Sequence, residues 1–533
     1  MTSIIFRTVA NNALGFGHLA RTLQLEAEFR SRRLNCVVVV DQVTDVIRNL
    51  YPDITFIELY ADNKFLNEAD DLDMFCTYFN PEPETIVVLD DYRLGSHWEG
   101  CIRPKIKKLV VLDDNNNRKH NCDFLIDTKW QGEATNDRYD GLLNPDCIKL
   151  LGPKYLLLNS QYGDARLRQK KKKATEFSVL VNIGGGGNWV EFKDLMEGLV
   201  EEFSTKNNIT VKVLQGPFCK GKEYITSLAQ KYGFVVPVGP FDSLATELSN
   251  TNLVVSAAGG TLFEAMALKV PTISFSMTSN QENNPEHLEQ LGHFFSLGDI
   301  KYVDQTKLAE LCGTMIAQYE RVQRLTQQPR LIEIDGAGAS RVVDLILGEI
   351  SESSTNCQTK RRSPSSKKQG RQIQKIGDEQ INFYRRSRNI QSNLKKMTQT
   401  KPVSALDHYL WWFKENQRTS FVSKKDGSPE IIFWHQLVEL KSQKYLVGGW
   451  FACDENITGS AAVFALKEQL TYTDEKYPGI PWVAVIHRSN KFVWSLNQMF
   501  GFREAQAGEP FYVAAQTFFS KANHKEFHFV CRN

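Results

Sequence analysis

Ile4-Ile5-Phe6-Arg7-Thr8-Val9, followed closely by Ala13-Leu14-Gly15-Phe16-Gly17-His18-Leu19-Ala20-Arg21, is the stretch whose reading decides the fold. The first run reads as a buried strand. From His18 onward, Leu19, Leu23 and Leu25 to Ala27 recur at helical spacing as far as Arg30, so a glycine turn joins a first strand to a first helix. In an open α/β sheet, ligands collect at the carboxyl ends of strands, where the next helix offers unpaired N–H groups to anions. Here that place also carries an imidazole able to act as a general base near neutral pH. The spacing Gly-x-Gly-His is not Gly-x-Gly-x-x-Gly, which disfavours a dinucleotide site. On this motif alone two roles stay open for His18: a reactive base, or a residue that only caps or packs the helix start.

Working outward, Asn35-Cys36-Val37-Val38-Val39-Val40-Asp41 is a continuous apolar run, expected of a strand covered on both faces. Further strands are expected near residues 54–57, 85–90 and 108–113, alternating with helix-length segments, which predicts a parallel, Rossmann-like sheet. Two of them end in acids, Asp90-Asp91-Tyr92 and Asp113-Asp114, and carboxylates at that edge face the same crevice as His18. Capping of helices or turns is the commoner fate of any one such Asp.

A second Rossmann-like unit begins after the exposed run Lys170 to Lys173. Ser178 to Ile183 reads as a strand leading into Gly184-Gly185-Gly186-Gly187-Asn188. Consecutive glycines carry an entropic cost that a special backbone path explains, and Gly185 and Gly186 are candidates for close approach to a phosphate, a loose loop being the alternative. Later, Asn252 to Ser256 runs into Ala257-Ala258-Gly259-Gly260-Thr261 and a helix. Small residues at a helix N-terminus suit a diphosphate, and Glu264, one turn in, could accept from ribose hydroxyls. The next strand, Thr272 to Phe275, leads to a polar loop containing Asn280 and Gln281. Two half-sheets with a glycine-rich diphosphate site in the second describe a nucleotide-sugar enzyme.

The 533 residues suggest roughly three domains. Lys+Arg 64 against Asp+Glu 62 leaves a net charge of +2, so no global field draws the chain to nucleic acid or an anionic membrane, and neither partner is expected. No membrane span or signal peptide is expected, and ten scattered cysteines show no metal-ligand spacing, so no metal is expected and the protein reads as cytoplasmic.

The motifs Gly15 to Arg21, Asp90-Asp91-Tyr92, Asp113-Asp114 with Asn121-Cys122-Asp123, Gly152 to Leu157, Ser256-Ala257-Ala258 and Asn280-Gln281-Glu282 carry a resemblance. Through them, residues 1 to about 350 resemble the UDP-sugar hydrolases of pseudaminic-acid (nonulosonic-acid) synthesis, which have a glycosyltransferase B-type fold. The resemblance implies hydrolysis of a UDP-linked diacetamido-trideoxyhexose, with His18 as catalytic base and no cofactor. It also implies a substrate site formed by Gly15, Gly17, Arg21, Asp90, Tyr92, Gly185, Gly186, Ser256, Ala257, Gly259, Gly260, Glu264, Asn280 and Gln281. Asn159-Ser160-Gln161-Tyr162 departs from the family's Arg-x-Glu-Phe pattern, which bears on the sugar accepted. A UDP-sugar glycosyltransferase and a non-catalytic nucleotide-sugar-binding protein are the alternatives.

These readings place an N-terminal Rossmann-like domain at 1–162, a UDP-binding one at 163–350, a basic linker at 351–400 and a last domain at 401–533. The linker is Ser-, Gln-, Lys- and Arg-rich and is expected not to fold alone. In the tail, Leu410 to Phe413 reads as helix, Ile431 to Trp434 and Tyr445 to Phe451 as hairpin strands, Ala461 to Leu466 as helix and Trp482 to Ile486 as strand. The succession resembles the α+β GCN5-related N-acetyltransferase fold. That resemblance implies acetyl-CoA as co-substrate, its pyrophosphate on the turn Asn456, Gly459, Ala461, with Asn490 beside it. Asn497 stands where that family often has a tyrosine acid.

Overall fold

Four successive valines, Val37 to Val40, can all be buried only in a strand covered on both faces, and they lie in the second strand of a seven-stranded parallel sheet. In the computed structural model, the described residues are 3–9, 17–60, 65, 67–80, 82–158, 160–168, 176–241, 243–330, 332–349 and 370–533. They fall into two units, residues 1–359 and 360–533.

The first unit contains two doubly wound sheets. The first joins β1 (Ser3–Thr8), β2 (Asn35–Val40), β3 (Phe56–Glu58), β4 (Ile86–Asp90), β5 (Lys108–Leu112), β6 (Phe124–Asp127) and β7 (Ile148–Leu151) in the order 3-2-1-4-5-6-7. The strand expected at 54–57 lies two residues later. The second joins β8 (Phe177–Asn182), β9 (Ile209–Leu214), β10 (Val235–Val238), β11 (Leu253–Ala257), β12 (Thr272–Ser276) and β13 (Phe295–Asp299) in the order 10-9-8-11-12-13. All pairings in both sheets are parallel. In each, the order reverses beside the first strand, the place where open α/β sheets take their ligands at the carboxyl edge.

Packing corrects the boundary expected between residues 162 and 163. Leu157 belongs to the first core, whereas Leu158 and Tyr162 belong to the second. The chain then crosses back. The helix Gly338–Leu347 buries Val342, Val343, Leu345 and Ile346 in the first core, beside Leu23 and Phe29. Gly338 makes that return possible, because a Cβ there would stand 2.1 Å from the Leu156 carbonyl oxygen. Arg32 ties the first helix to this one through Asp344 and, at 3.1 Å, Ser340.

The second unit is built on a mixed sheet of β14 (Arg371–Lys375), β15 (Thr419–Lys425), β16 (Ser428–Leu440), β17 (Gln443–Ala452), β18 (Trp482–His487), β19 (Arg503–Glu504) and β20 (Phe527–Arg532), in the order 14-15-16-17-18-20-19. The expected linker is corrected here. Residues 351–369, like the Lys170 to Lys173 run, lie outside the described residues, but residues 370–400 are folded. β14 pairs antiparallel with β15, and Ile381, Tyr384 and Leu394 are buried, so a polar composition conceals an edge strand and one-sided helices. Ala405–Leu410 is helical, and the helix continues through Glu415 as a π turn.

Candidate active site

β1 and β4 are neighbours in register, with Thr8 opposite Asp90, so the end of β4 lies beside the start of the helix Gly17–Ser31. His18, the second residue of that helix, places Nδ1 2.6 Å from Asp90 Oδ1. Arg21, one turn on along the same face, grips the same carboxylate with two nitrogens, Nε to Oδ2 at 2.7 Å and Nη2 to Oδ1 at 2.5 Å. Thr22 Oγ1 donates to Oδ2 at 3.2 Å. Burial alone would push the Asp90 carboxyl up, but Arg21 and then His18 more than offset it and hold it below its ordinary range. An ionised Asp90 beside Nδ1 calls for the proton on Nδ1, which leaves the Nε2 lone pair as the free face of the ring. The His18 side chain keeps 10% of its surface exposed, so an edge of the imidazole is within reach of solvent.

Tyr92 stands edge-on to this ring with centroids 4.4 Å apart. Its hydroxyl donates to Asp114 and accepts from Arg21 Nη2 at 3.3 Å. Burial first, and Asp114 against the opposing pull of Arg21, push the phenol up, so it remains a donor at neutral pH. Asp91 faces the other way, into Arg93 at 2.6 Å and Arg7 at 3.6 Å, as alternation along an extended segment requires. Thr22 and Asp114 complete the cluster; the sequence put Asp114 among the acids of this edge without a specific role and gave no sign of Thr22. Gly17 heads the helix with no heavy atom within 4 Å of where a Cβ would stand, and Gly15 lies outside the described residues.

Behind Asp114, a buried charged triad orders the loop after β5. His120 Nδ1 meets Glu99 Oε1 at 2.7 Å, and its Nε2 stands 3.7 Å from Asp113 Oδ2. Burial lowers the imidazole, but the Asp113 and Glu99 carboxylates outweigh it and raise it to about 9. The folded value lies above the unfolded one, so this stabilisation is complete below the unfolded pKa of about 6.5 and is lost as pH rises through about 9. Denaturant melts between those values are expected to lose on the order of 2 to 3 kcal/mol, and Glu99→Gln is expected to flatten the profile. An unchanged slope in the variant would contradict the triad's role.

In the second lobe, Asn182 couples two glycine turns. Its Oδ1 accepts from Gly184 N at 2.8 Å, and its Nδ2 donates to Thr261 Oγ1 at 2.9 Å. Gly184 has φ +83°, and a Cβ on Gly216 would meet Gly185 Cα at 2.7 Å, so the loops after β8 and β9 touch backbone to backbone. Gly186 has open space around it. The helix Gly260–Ala267 starts behind Gly259 with no side-chain cap, and both glycines face open space, which leaves its first N–H groups to an anion. Ser256 and Ala257 are buried within β11, where Ser256 Oγ donates to the Ala257 carbonyl at 2.8 Å, so their part is structural support of the turn. Glu264 accepts from the Tyr162 hydroxyl at 2.6 Å, and burial raises its carboxyl against the opposing hydrogen bonds of Tyr162 and Thr261. Gln281 Oε1 closes its own loop by accepting from Met277 N at 2.9 Å. The Asn280 side chain is outside the described residues.

Segments that follow strands of the two sheets meet. Trp130, in the loop after β6, donates to Gln290 Oε1 at 2.8 Å in the segment after β12, and Phe218, after β9, packs against the first core.

In the second unit, β17 and β18 are parallel neighbours only through Leu446–Trp482 and Val447–Val483, and beyond those pairs the strands have no shared register. A cavity of about 830 Å³ opens beside this splay, and Gly459, Asn490 and Asn497 line it. Gly459 begins an 18-residue helix whose N-cap, Thr458, accepts from Ala461 N at 3.3 Å. Asn456 is exposed and Ala461 fully buried, so of the expected turn only Gly459 reaches the cavity. Asn497 turns its amide onto the Val493 carbonyl at 2.8 Å. Among the described residues, no helix is long and apolar enough to cross a membrane.

No protein-family model matches the chain. Among curated proteins, an uncharacterized protein of Methanocaldococcus jannaschii is 24% identical over 271 residues, which cover 49% of this chain and 52% of that protein. The chain thus spans about half the length of that relative. The UDP-2,4-diacetamido-2,4,6-trideoxy-beta-L-altropyranose hydrolase of Campylobacter jejuni is 19% identical over 291 residues, covering 54% of this chain and 97% of the hydrolase. Among solved structures, Acinetobacter baumannii MurG aligns at a TM-score of 0.42 and 11% identity, over 65% of this chain and 99% of its own. The UDP-GlcNAc 2-epimerase of Neisseria meningitidis bound to UDP-GlcNAc aligns at 0.42 and 12%, over 65% of this chain and all of its own. Over about half of its length this chain is therefore distantly similar in sequence to a UDP-sugar hydrolase.

Proposed function

We propose that residues 1–350 form a cytoplasmic hydrolase that releases UDP and free sugar from a UDP-linked 2,4-diacetamido-2,4,6-trideoxyhexose of pseudaminic-acid synthesis, the substrate named for the Campylobacter relative. The observation that carries this reading is the His18–Asp90–Arg21 arrangement at the carboxyl edge of the first sheet. A carboxylate that holds Nδ1–H leaves Nε2 to take a proton from water. The water oxygen bonds to the anomeric carbon, the carbon–oxygen bond to the diphosphate breaks, and the leaving UDP keeps the electron pair. The uncapped helix start at Gly259 and Gly260 faces the developing charge, and Glu264, held by Tyr162, borders the ribose.

For the second unit, the proposal is an acetyl-CoA-dependent N-acetyltransferase acting on an amino sugar. The splayed parallel pair, the cavity beside it and the helix start at Gly459 fit such a co-substrate, with Gly459 and Asn490 as the residues that would hold it. When bound, acetyl-CoA supplies an activated acetyl thioester. Mass spectrometry of products from a panel of UDP-amino sugars, with and without acetyl-CoA, tests both parts. UDP with free sugar is expected from a diacetamido substrate alone, and a mass gain of one acetyl group from its 4-amino precursor only when acetyl-CoA is present. Sugar transfer to an added acceptor with no release to water would contradict the hydrolase, and a folded protein that binds no acetyl-CoA would contradict the acetyltransferase.

A further inference from the structure

Buried and half-buried arginines of the first unit meet carboxylates: Arg7 with Asp71, Arg21 with Asp90 and Arg138 with Asp127. The cavity of the second unit breaks that pattern. Arg388 and Arg418 both line it, and among the described residues neither contacts a carboxylate: of the two acids on the lining, Asp407 accepts from Ser404 Oγ at 2.8 Å and Glu455 from Ser392 N at 3.4 Å. Arg388 donates to the Gln399 carbonyl at 3.0 Å and to the Lys401 carbonyl at 3.3 Å, neutral partners that orient the guanidinium without balancing its charge. Arg418 lies 3.6 Å from the Trp434 ring centroid and 5.1 Å from that of Trp411, with Nη1 3.4 Å from the Tyr384 hydroxyl. Tyr384 sits one turn before Arg388 on the helix Ile381–Arg388, so the tyrosine that Arg418 touches is a helix-face neighbour of Arg388, and both arginines line the same cavity. Burial and then repulsion from Arg418 lower Arg388, so the pair is close enough to be felt.

Two half-buried cations on one wall of a cavity cost free energy unless an anion joins them, and planar guanidinium forks match phosphate oxygens. We infer that Arg388 and Arg418 form a phosphate-binding subsite in this cavity, whose anion is a phosphate group of a substrate. The phosphate belongs either to the coenzyme or to a nucleotide-linked acceptor. The subsite does not depend on the acetyl-CoA reading, since the neutral partners of both guanidinium groups are a property of the chain alone.

Calorimetric titration of the full chain with pyrophosphate is the test. Wild type is expected to bind at one site more than the Arg388→Gln/Arg418→Gln variant, or about tenfold tighter or better, and the Arg388→Lys/Arg418→Lys variant to fall between the two, since it keeps the charge and loses the planar fork. Titrations with CoA and with UDP separate the sources: a selective loss of CoA affinity in the Gln variant assigns the coenzyme, and the loss of one UDP site assigns the acceptor. Unchanged pyrophosphate binding in a folded Gln variant overturns the inference, as does an equal loss in the Lys variant accompanied by a lowered melting temperature in both, which would mark a structural role. A wild-type protein that binds pyrophosphate through this pair but no acetyl-CoA keeps the subsite and rejects the acetyltransferase.

Discussion

His18→Asn is expected to lower UDP release by roughly 10² to 10⁴ while leaving UDP affinity within a few-fold of wild type. Asparagine preserves the size of the side chain and can still meet Asp90, so the cluster around Arg21 stays assembled. What disappears is the second nitrogen, the group free to take a proton from water. The glycine turns proposed to hold the diphosphate lie on the other sheet, so ground-state binding of the nucleotide is expected to be untouched. The expected signature is therefore a fall in kcat with little change in KM. Near-normal turnover in a folded His18→Asn protein would reduce His18 to a packing residue.

Asp90→Asn is expected to act on rate and stability together. Its amide either turns an N–H towards His18 Nδ1, which moves the imidazole proton to Nε2 and removes the base, or turns it towards Arg21, where it meets only donors. A rate loss of roughly 10³ to 10⁴ follows from the wrong tautomer. The variant also leaves Arg21 without its counter-charge, and removing one partner of a buried pair costs about 3 to 5 kcal/mol, nearer the lower figure here because 26% of the Arg21 side chain is exposed. Adding Arg21→Met is expected to recover part of the stability and none of the rate. Urea melts with parallel kinetics check both halves, and a stable, active Asp90→Asn protein would contradict the arrangement.

The element types were legible wherever one period dominated. β2 declares itself through its valines and β11 through Leu253 to Val255, and both fall within a residue or two of the expected positions. β6 and β7, four residues each, went unread because short apolar runs between turns resemble buried loop. β10 contains Pro237, which argues against a strand, and its place at the edge of the sheet is what tolerates the proline.

The site was legible as residues and not as contacts. His18 and Asp90 are 72 positions apart and meet only because β1 and β4 are neighbours, a fact of sheet order that no local period carries. For the same reason the helix Gly338–Leu347 was assigned to the sheet it follows and not to the one it packs on. Residues 370–400 were read as linker because composition averages over faces, whereas Ile381, Tyr384 and Leu394 place their few apolar side chains all on one side. In the tail, the cations of the cavity wall, Arg388 and Arg418, come from segments 30 residues apart in the chain and stand together only through the fold.

The most direct test of the hydrolase is to incubate the pure protein with one UDP-linked diacetamido-trideoxyhexose in ¹⁸O-enriched water, with no acceptor, and to weigh the UDP. Attack at the anomeric carbon with His18 as base is expected to give full release of UDP that carries no ¹⁸O. UDP labelled on its terminal phosphate, or no release from a folded protein that binds UDP, would contradict it.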